Sequence, residues 1–153
     1  MLFRSRPAQT LADVSRASIL ALAEYFSLCG ACRFLDSAAL GIGGRSSQRL
    51  HDIVRSVGGS HYFTGHGARN YLDHALFERS GITVEYMAYQ TILYPQLHGA
   101  FTPFVTGLDL VANCGRSGKN VIVSGTVSWR DFVSTSSSAK QYQIGRASCR
   151  ERV

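Results

Sequence analysis

The stretch "HYFTGHGARNYLDHALFERSGITVEYM", residues 61–87, decides how the chain folds. Its last six residues, 82–87, alternate so that Ile82, Val84 and Tyr86 share one face of a strand. Its first three, 61–63, read as a short aromatic strand. Between them "NYLDHALFERS" reads as a helix with Leu72, Leu76 and Phe77 turned inward, ended by Gly81. Strand, helix and strand at this spacing predict a parallel pair joined by a right-handed crossover.

The pattern extends to both sides. Upstream, Ser46 is expected to cap "SQRLHDIVRSV", whose Leu50, Ile53, Val54 and Val57 make one apolar stripe. Gly58–Gly59 ends that helix, with Gly58 suited to the left-handed position after it. Farther up, "TLADVSRASILALAEYFSL" (10–28) reads as a helix. Thr10 is its N-cap and Asp13 sits where a capping-box acid belongs. Leu11, Val14, Ile19, Leu22 and Phe26 give it a rough apolar face, and Gly30 is the expected stop. "CRFLD" (32–36) is a candidate strand, and "SAALGIGG" (37–44) a loop. Downstream, Pro95, Gly99 and Pro103 make 94–104 irregular. A helix is expected from Pro103, stopped by Gly115. "NVIVSGTVSW" (120–129) is β-rich, and "STSSSAK" (134–140) reads as a disordered end. The alternation predicts an α/β fold of parallel-sheet layers with crossover helices.

With 153 residues, 45% hydrophobic and 17% charged, the composition is that of a globular domain with a real core. No apolar run approaches the roughly 20 residues of a membrane span. "MLFRSRPAQT" is followed by no signal-peptide core, so the expected compartment is the cytoplasm. The formal charge of +6 is inflated by the end, "IGRASCRERV" (144–153). Written into codons, those ten residues can spell a common short-read sequencing adapter, so they are read as non-biological. They hold three Arg and one Glu; without them the charge is +4. The remaining basic residues are scattered and not interleaved with aromatics, which argues against a nucleic-acid surface.

The chemistry-bearing candidates centre on "TGHGAR" (64–69). Ligands of open α/β sheets gather beyond the carboxyl ends of the strands. Gly65 and Gly67 would let the backbone approach a ligand, and a following helix start would favour an anion. Arg69 could grip phosphate or carboxylate in two-pronged fashion. Thr64 and Asn70 are usable donors, and His66 is suited to acid–base work. The competing reading is an ordinary turn, with Gly65 and Gly67 shaping it and Asn70 capping the helix. Tyr94, Gln96 and His98 form a polar cluster that could line a sugar or be a surface loop. Asp109 and Asn113, four apart on one helical face, suggest either a buried hydrogen-bond network or a site. Asp73 and His74 are neighbours and point about 100° apart, so they are no metal pair. "CGAC" (29–32) has redox spacing but follows a helix and lacks a second pair for zinc, so ordinary thiols are favoured. No Ser-His-Asp order, metal cluster or phosphate loop is legible, and no cofactor is expected.

The run from "GRSSQRLHDIVRSVGG" through "HYFTGHGARNYLDHALFERSGITVEYM", then "YPQLHGAFTPFVTGLDLVANCG", resembles the carboxy-terminal part of the WbqC-like family. The resemblance covers roughly residues 10–115. Its pieces are Ser-x-Arg-Leu opening a helix, Thr-Gly-x-Gly-Ala after a strand, Tyr-Leu-Asp, Tyr-Pro-Gln, and Leu-Asp-Leu with Asn-x-Gly. Matched positions are Ser47, Arg49, Gly65, Gly67, Ala68, Tyr71, Leu72, Asp73, Tyr94, Pro95, Gln96, Asp109, Asn113 and Gly115. The resemblance implies a bacterial protein of O-antigen or surface-polysaccharide synthesis, taking a sugar nucleotide or glycan intermediate in a transferase-type step. Taken with the reading of the loop from its own residues, His66 and Asp109 are the catalytic candidates. Thr64, Gly65, Gly67, Arg69, Asn70, Tyr71, Tyr94, Gln96 and Asn113 would bind the ligand. The rival implications are a non-catalytic binding module and a nucleotide-binding enzyme of other chemistry. The family's opening Gln-Pro-x-Tyr-x-Pro segment is not found, so the domain is expected to be truncated at its N-terminus. Residues 1–115 would be a partial WbqC-like domain, 116–142 an extension partly β and then disordered, and 143–153 a non-biological tail.

Overall fold

The computed structural model describes residues 9–28, 30 and 32–138, excepting the side chains of residues 124 and 136–138. Cys29 and the adapter-like end lie outside the described residues. The helices are α1 (Leu11–Tyr25), α2 (Ser46–Ser56), α3 (His74–Arg79), α4 (Gly107–Cys114) and α5 (Trp129–Ser138). The strands are β1 (His61–Thr64), β2 (Thr83–Tyr89) and β3 (Ser124–Ser128). Two 3-10 helices cover His66–Asn70 and Gly115–Val121. The strands form a small mixed sheet in the order β1–β2–β3. β1 and β2 are parallel, with His61 facing Thr83 and Thr64 facing Tyr86. The α/β class therefore holds in this coarse form, as one parallel pair and a third strand. The chain divides into two compact units: residues up to Ile42 with Ala88–Gly125, and Gly43–Met87 with residues from Thr126.

The second unit holds the core that the opening stretch predicts. Ile82, Val84 and Tyr86 are all buried on one face of β2, as their alternation requires. Phe77 of α3 is fully buried with them, and Val54, Ala68 and Leu72 complete the cluster. Burying each of the large side chains is worth about 1.5–3 kcal/mol. Gly58 and Gly81 follow α2 and α3 at φ of +70° and +71°, where a side chain would be strained. Ser46 does not cap α2. Arg45 holds that position without a side-chain bond, and Ser46 itself lies at a φ of +56°. The disorder expected from residue 134 is also corrected over residues 134–138, because α5 runs through Ser138. The reason is tertiary. Trp129 and Phe132, three apart on one face, stack on His74 (4.5 Å) and on Tyr86 (4.2 Å) respectively.

The first unit is built on α1. Its capping box is complete: the Thr10 hydroxyl accepts from Asp13 N–H at 3.2 Å, and the Asp13 carboxylate accepts from Thr10 N–H at 3.0 Å. The Thr10 hydroxyl also donates to Asp13 Oδ2 at 2.8 Å, and that bond holds the Asp13 carboxyl below its ordinary range. The helix ends well before Gly30: Phe26 is the C-cap, and Ser27 takes a φ of +55°. Residues 32–36 are irregular and join none of the three strands. Instead Asp36 turns the chain there, accepting from Ala38 N–H and pairing with Arg16 at 3.0 Å. α4 begins at Gly107 behind Thr106, not at Pro103, and Gly115 stops it at a φ of +55°. Gly118 is required by packing, since a Cβ there would lie 2.8 Å from Leu110 Cγ and 3.1 Å from Phe26 Cε1.

Candidate functional site

β1 ends at Thr64, and the chain passes through Gly65 into the 3-10 helix His66–Asn70. Ala68 is buried and pins the inner side of that turn. Gly67, Arg69, Asn70 and Tyr71 face outward and are exposed. His66 Nε2 donates to the Met87 carbonyl of β2 at 2.7 Å, which ties the carboxyl ends of the parallel pair together. The His66 ring also lies 4.9 Å from that of Phe132.

Two parts of the ordinary-turn reading fail here. Asn70 caps nothing; Asp73 is the N-cap of α3, accepting from Leu76 N–H at 3.1 Å. Tyr71, at φ −139° and ψ −11°, breaks the 3-10 turn before α3 starts, so no single helix follows the loop. The glycines are also not needed for backbone conformation. Gly65 has a φ of −83°. Gly67 has no positive φ, and a Cβ on it would meet nothing within 4 Å. The helix start expected behind them is replaced by the short 3-10 turn.

Other family-motif residues near this loop have clear structural work. Buried Ser47 donates to the Tyr71 carbonyl (3.1 Å) and accepts from Asp73 N–H (2.9 Å), fixing the chain where it leaves the loop. Leu72 is in the core. Gly67 and the Tyr71 side chain are left without such an account.

Tyr94, Gln96, Asp109 and Asn113 form a second cluster, wholly within the first unit. Tyr94 OH donates to Asp109 Oδ2 at 2.7 Å, and Gln96 Nε2 reaches the same oxygen at 3.1 Å. Accepting that bond, the carboxylate holds the Tyr94 phenol above its ordinary range. Gln96 also brackets Thr102, giving to its carbonyl and taking from its N–H. Asn113 accepts from Leu97 N–H and donates to the Asp109 carbonyl. The cluster thus staples residues 94–102 to α4; His98 is exposed. The hydrogen-bond network expected of Asp109 and Asn113 is present, between partly buried side chains.

Sequence reasoning missed the polar groups of α2 and α3. His51 is buried, with Nδ1 3.0 Å from Asp52 Oδ1 and Nε2 2.7 Å from Ser80 Oγ. His74 meets Tyr86 OH at 2.9 Å, and burial pushes its pKa down. The residues that meet stand 29 and 12 positions apart, so no local spacing marks them. Among the described residues no group of His, Cys, Asp and Glu could hold a metal ion. No described helix is long and apolar enough to cross a membrane.

The chain matches the model of the WbqC-like protein family over residues 2–121, and it belongs to that family. The match begins earlier than the resemblance quoted above and extends through the second 3-10 helix. A relative is the Mycobacterium tuberculosis protein named "Uncharacterized protein Rv1507c", 28% identical over 106 residues. That similarity covers 69% of this chain and 45% of the relative, so the matched part spans less than half the relative's length. No solved structure matches the chain.

Proposed function

We propose that this chain is part of a protein acting in bacterial surface-polysaccharide synthesis, at a step on a sugar nucleotide or modified sugar. Its ligand site is the loop Thr64–Tyr71 at the carboxyl end of the parallel pair. The observation that carries this reading is Gly67. It is a motif glycine that neither packing nor φ demands, and it stands beside exposed Arg69. Such a glycine is explained when a ligand must come close to the backbone. Arg69 supplies a permanent charge for a phosphate or carboxylate. Thr64 and Asn70 add donors, and the exposed Tyr71 ring offers a face for a sugar or base. His66 is the acid–base candidate, held in place by Met87. Within the other compact unit, Tyr94, Gln96, Asp109 and Asn113 are proposed in their own right as groups that contact a sugar or acceptor, with Asp109 the second catalytic candidate.

The non-catalytic binding reading has its own support: Asp109 and His66 are both already hydrogen-bonded inside the protein. One experiment separates the two. The full chain is titrated calorimetrically with nucleotide sugars and with the free nucleotides. Binding of the sugar forms that is lost in Arg69→Ala supports the site. Equal affinity for the free nucleotides favours nucleotide chemistry unrelated to sugars, and no binding at all overturns the proposal. Turnover that survives both Arg69→Ala and Asp109→Asn in a full-length homologue overturns the catalytic roles and leaves a binding module.

A further inference from the structure

We infer that Ser80, His51 and Asp52 form a separate reactive site, in which Ser80 is a nucleophile toward small activated esters and phosphonyl compounds. The geometry assigns the roles. Asp52 is held ionised, because Gln48 Nε2 donates to both its oxygens (2.9 and 3.1 Å), which with His51 keeps its carboxyl below the ordinary range. A carboxylate only accepts, so His51 Nδ1 carries the proton of that 3.0 Å contact. In the neutral imidazole Nε2 is then a lone pair, and the 2.7 Å contact is Ser80 Oγ–H donating to it. Hydroxyl, imidazole and carboxylate are thus joined in the order that primes a serine for attack, a constellation recognised by geometry and not by chain order.

The site is both ordered and reachable. The His51 ring is buried and stands edge-on to Phe77 at 5.6 Å, which fixes its plane. Ser80 is exposed as the C-cap of α3. The substrate class follows from how the two amides nearest the hydroxyl are used. Ser80 N–H is spent on the Phe77 carbonyl and Gly81 N–H on the Glu78 carbonyl, so neither steadies a developing oxyanion. A substrate must therefore bring its own good leaving group, as aryl esters and fluorophosphonates do. In the step, Ser80 Oγ bonds to the acyl carbon or phosphorus and its proton passes to His51 Nε2. The bond to the leaving group breaks, and the aryl oxide or fluoride departs with the electron pair.

The test is labelling of the full chain with a fluorophosphonate probe, read by intact mass and peptide mapping. The expected result is one adduct on Ser80, absent from Ser80→Ala. Asp52→Asn, at a partly exposed carboxylate, should label at least about tenfold more slowly with an unchanged circular dichroism spectrum. No adduct on Ser80 of the folded chain, or labelling of Asp52→Asn at the original rate, would overturn the inference. If Asp52→Asn unfolds, Gln48→Ala at an exposed position, which removes the bonds to both Asp52 oxygens, takes its place; slower labelling is again expected and an unchanged rate again overturns the inference.

Discussion

Replacing Ser47 by Ala should loosen the candidate loop and cost measurable stability. The Ser47 hydroxyl makes two bonds, one to the Tyr71 carbonyl and one from Asp73 N–H, and its residue is buried. A net hydrogen bond is worth about 0.5–1.5 kcal/mol, so losing both should cost about 1–3 kcal/mol. Urea unfolding reads the loss as a lower midpoint at constant slope. Amide exchange should quicken over residues 66–73 more than in β2, because Ser47 ties the exit of the loop and not the sheet. A stability loss below about 0.3 kcal/mol, or exchange quickened evenly over both segments, would refute the claim that Ser47 positions this loop.

Gly67→Ala should leave stability within about 0.5 kcal/mol while weakening ligand binding, since its Cβ meets no protein atom; urea unfolding beside calorimetry checks both halves. Asp73→Ala removes the α3 cap and should cost about 1 kcal/mol by the same unfolding assay. His74, whose pKa burial lowers, is neutral in the fold when the unfolded chain begins to protonate near its ordinary value of about 6.5. Its contribution is therefore complete above that pH and is lost as pH falls through the lowered folded value. Urea midpoints should decline below about pH 6.5, and His74→Phe should flatten that decline.

The legible parts of the fold were those written in local periodicity. Ile82, Val84 and Tyr86 announce a half-buried strand, and Thr10 with Asp13 announces a helix start. Gly58, Gly81 and Gly115 mark ends because each takes a positive φ that other residues resist. What stayed hidden depends on partners far along the chain. Residues 134–138 look disordered until Trp129 and Phe132 find His74 and Tyr86. Phe34 and Leu35 suggest a strand, yet both are exposed in an irregular segment. That a turn follows the first strand is legible, although β1 takes in Thr64; the 3-10 form of the turn is not, since one short turn has no period of its own. The coupling of Gln96 to Thr102 and of Tyr94 to Asp109 was likewise invisible, as only the fold brings those groups together.

The most direct measurement is a proton–nitrogen NMR titration of the full chain with a nucleotide sugar, repeated on Arg69→Ala. The account predicts that the amides of Gly65, Gly67 and Arg69 move first, and that Arg69→Ala weakens binding at least about tenfold, as loss of a charge-assisted contact should. Saturable binding that leaves those amides still, or that survives Arg69→Ala undiminished, would contradict it.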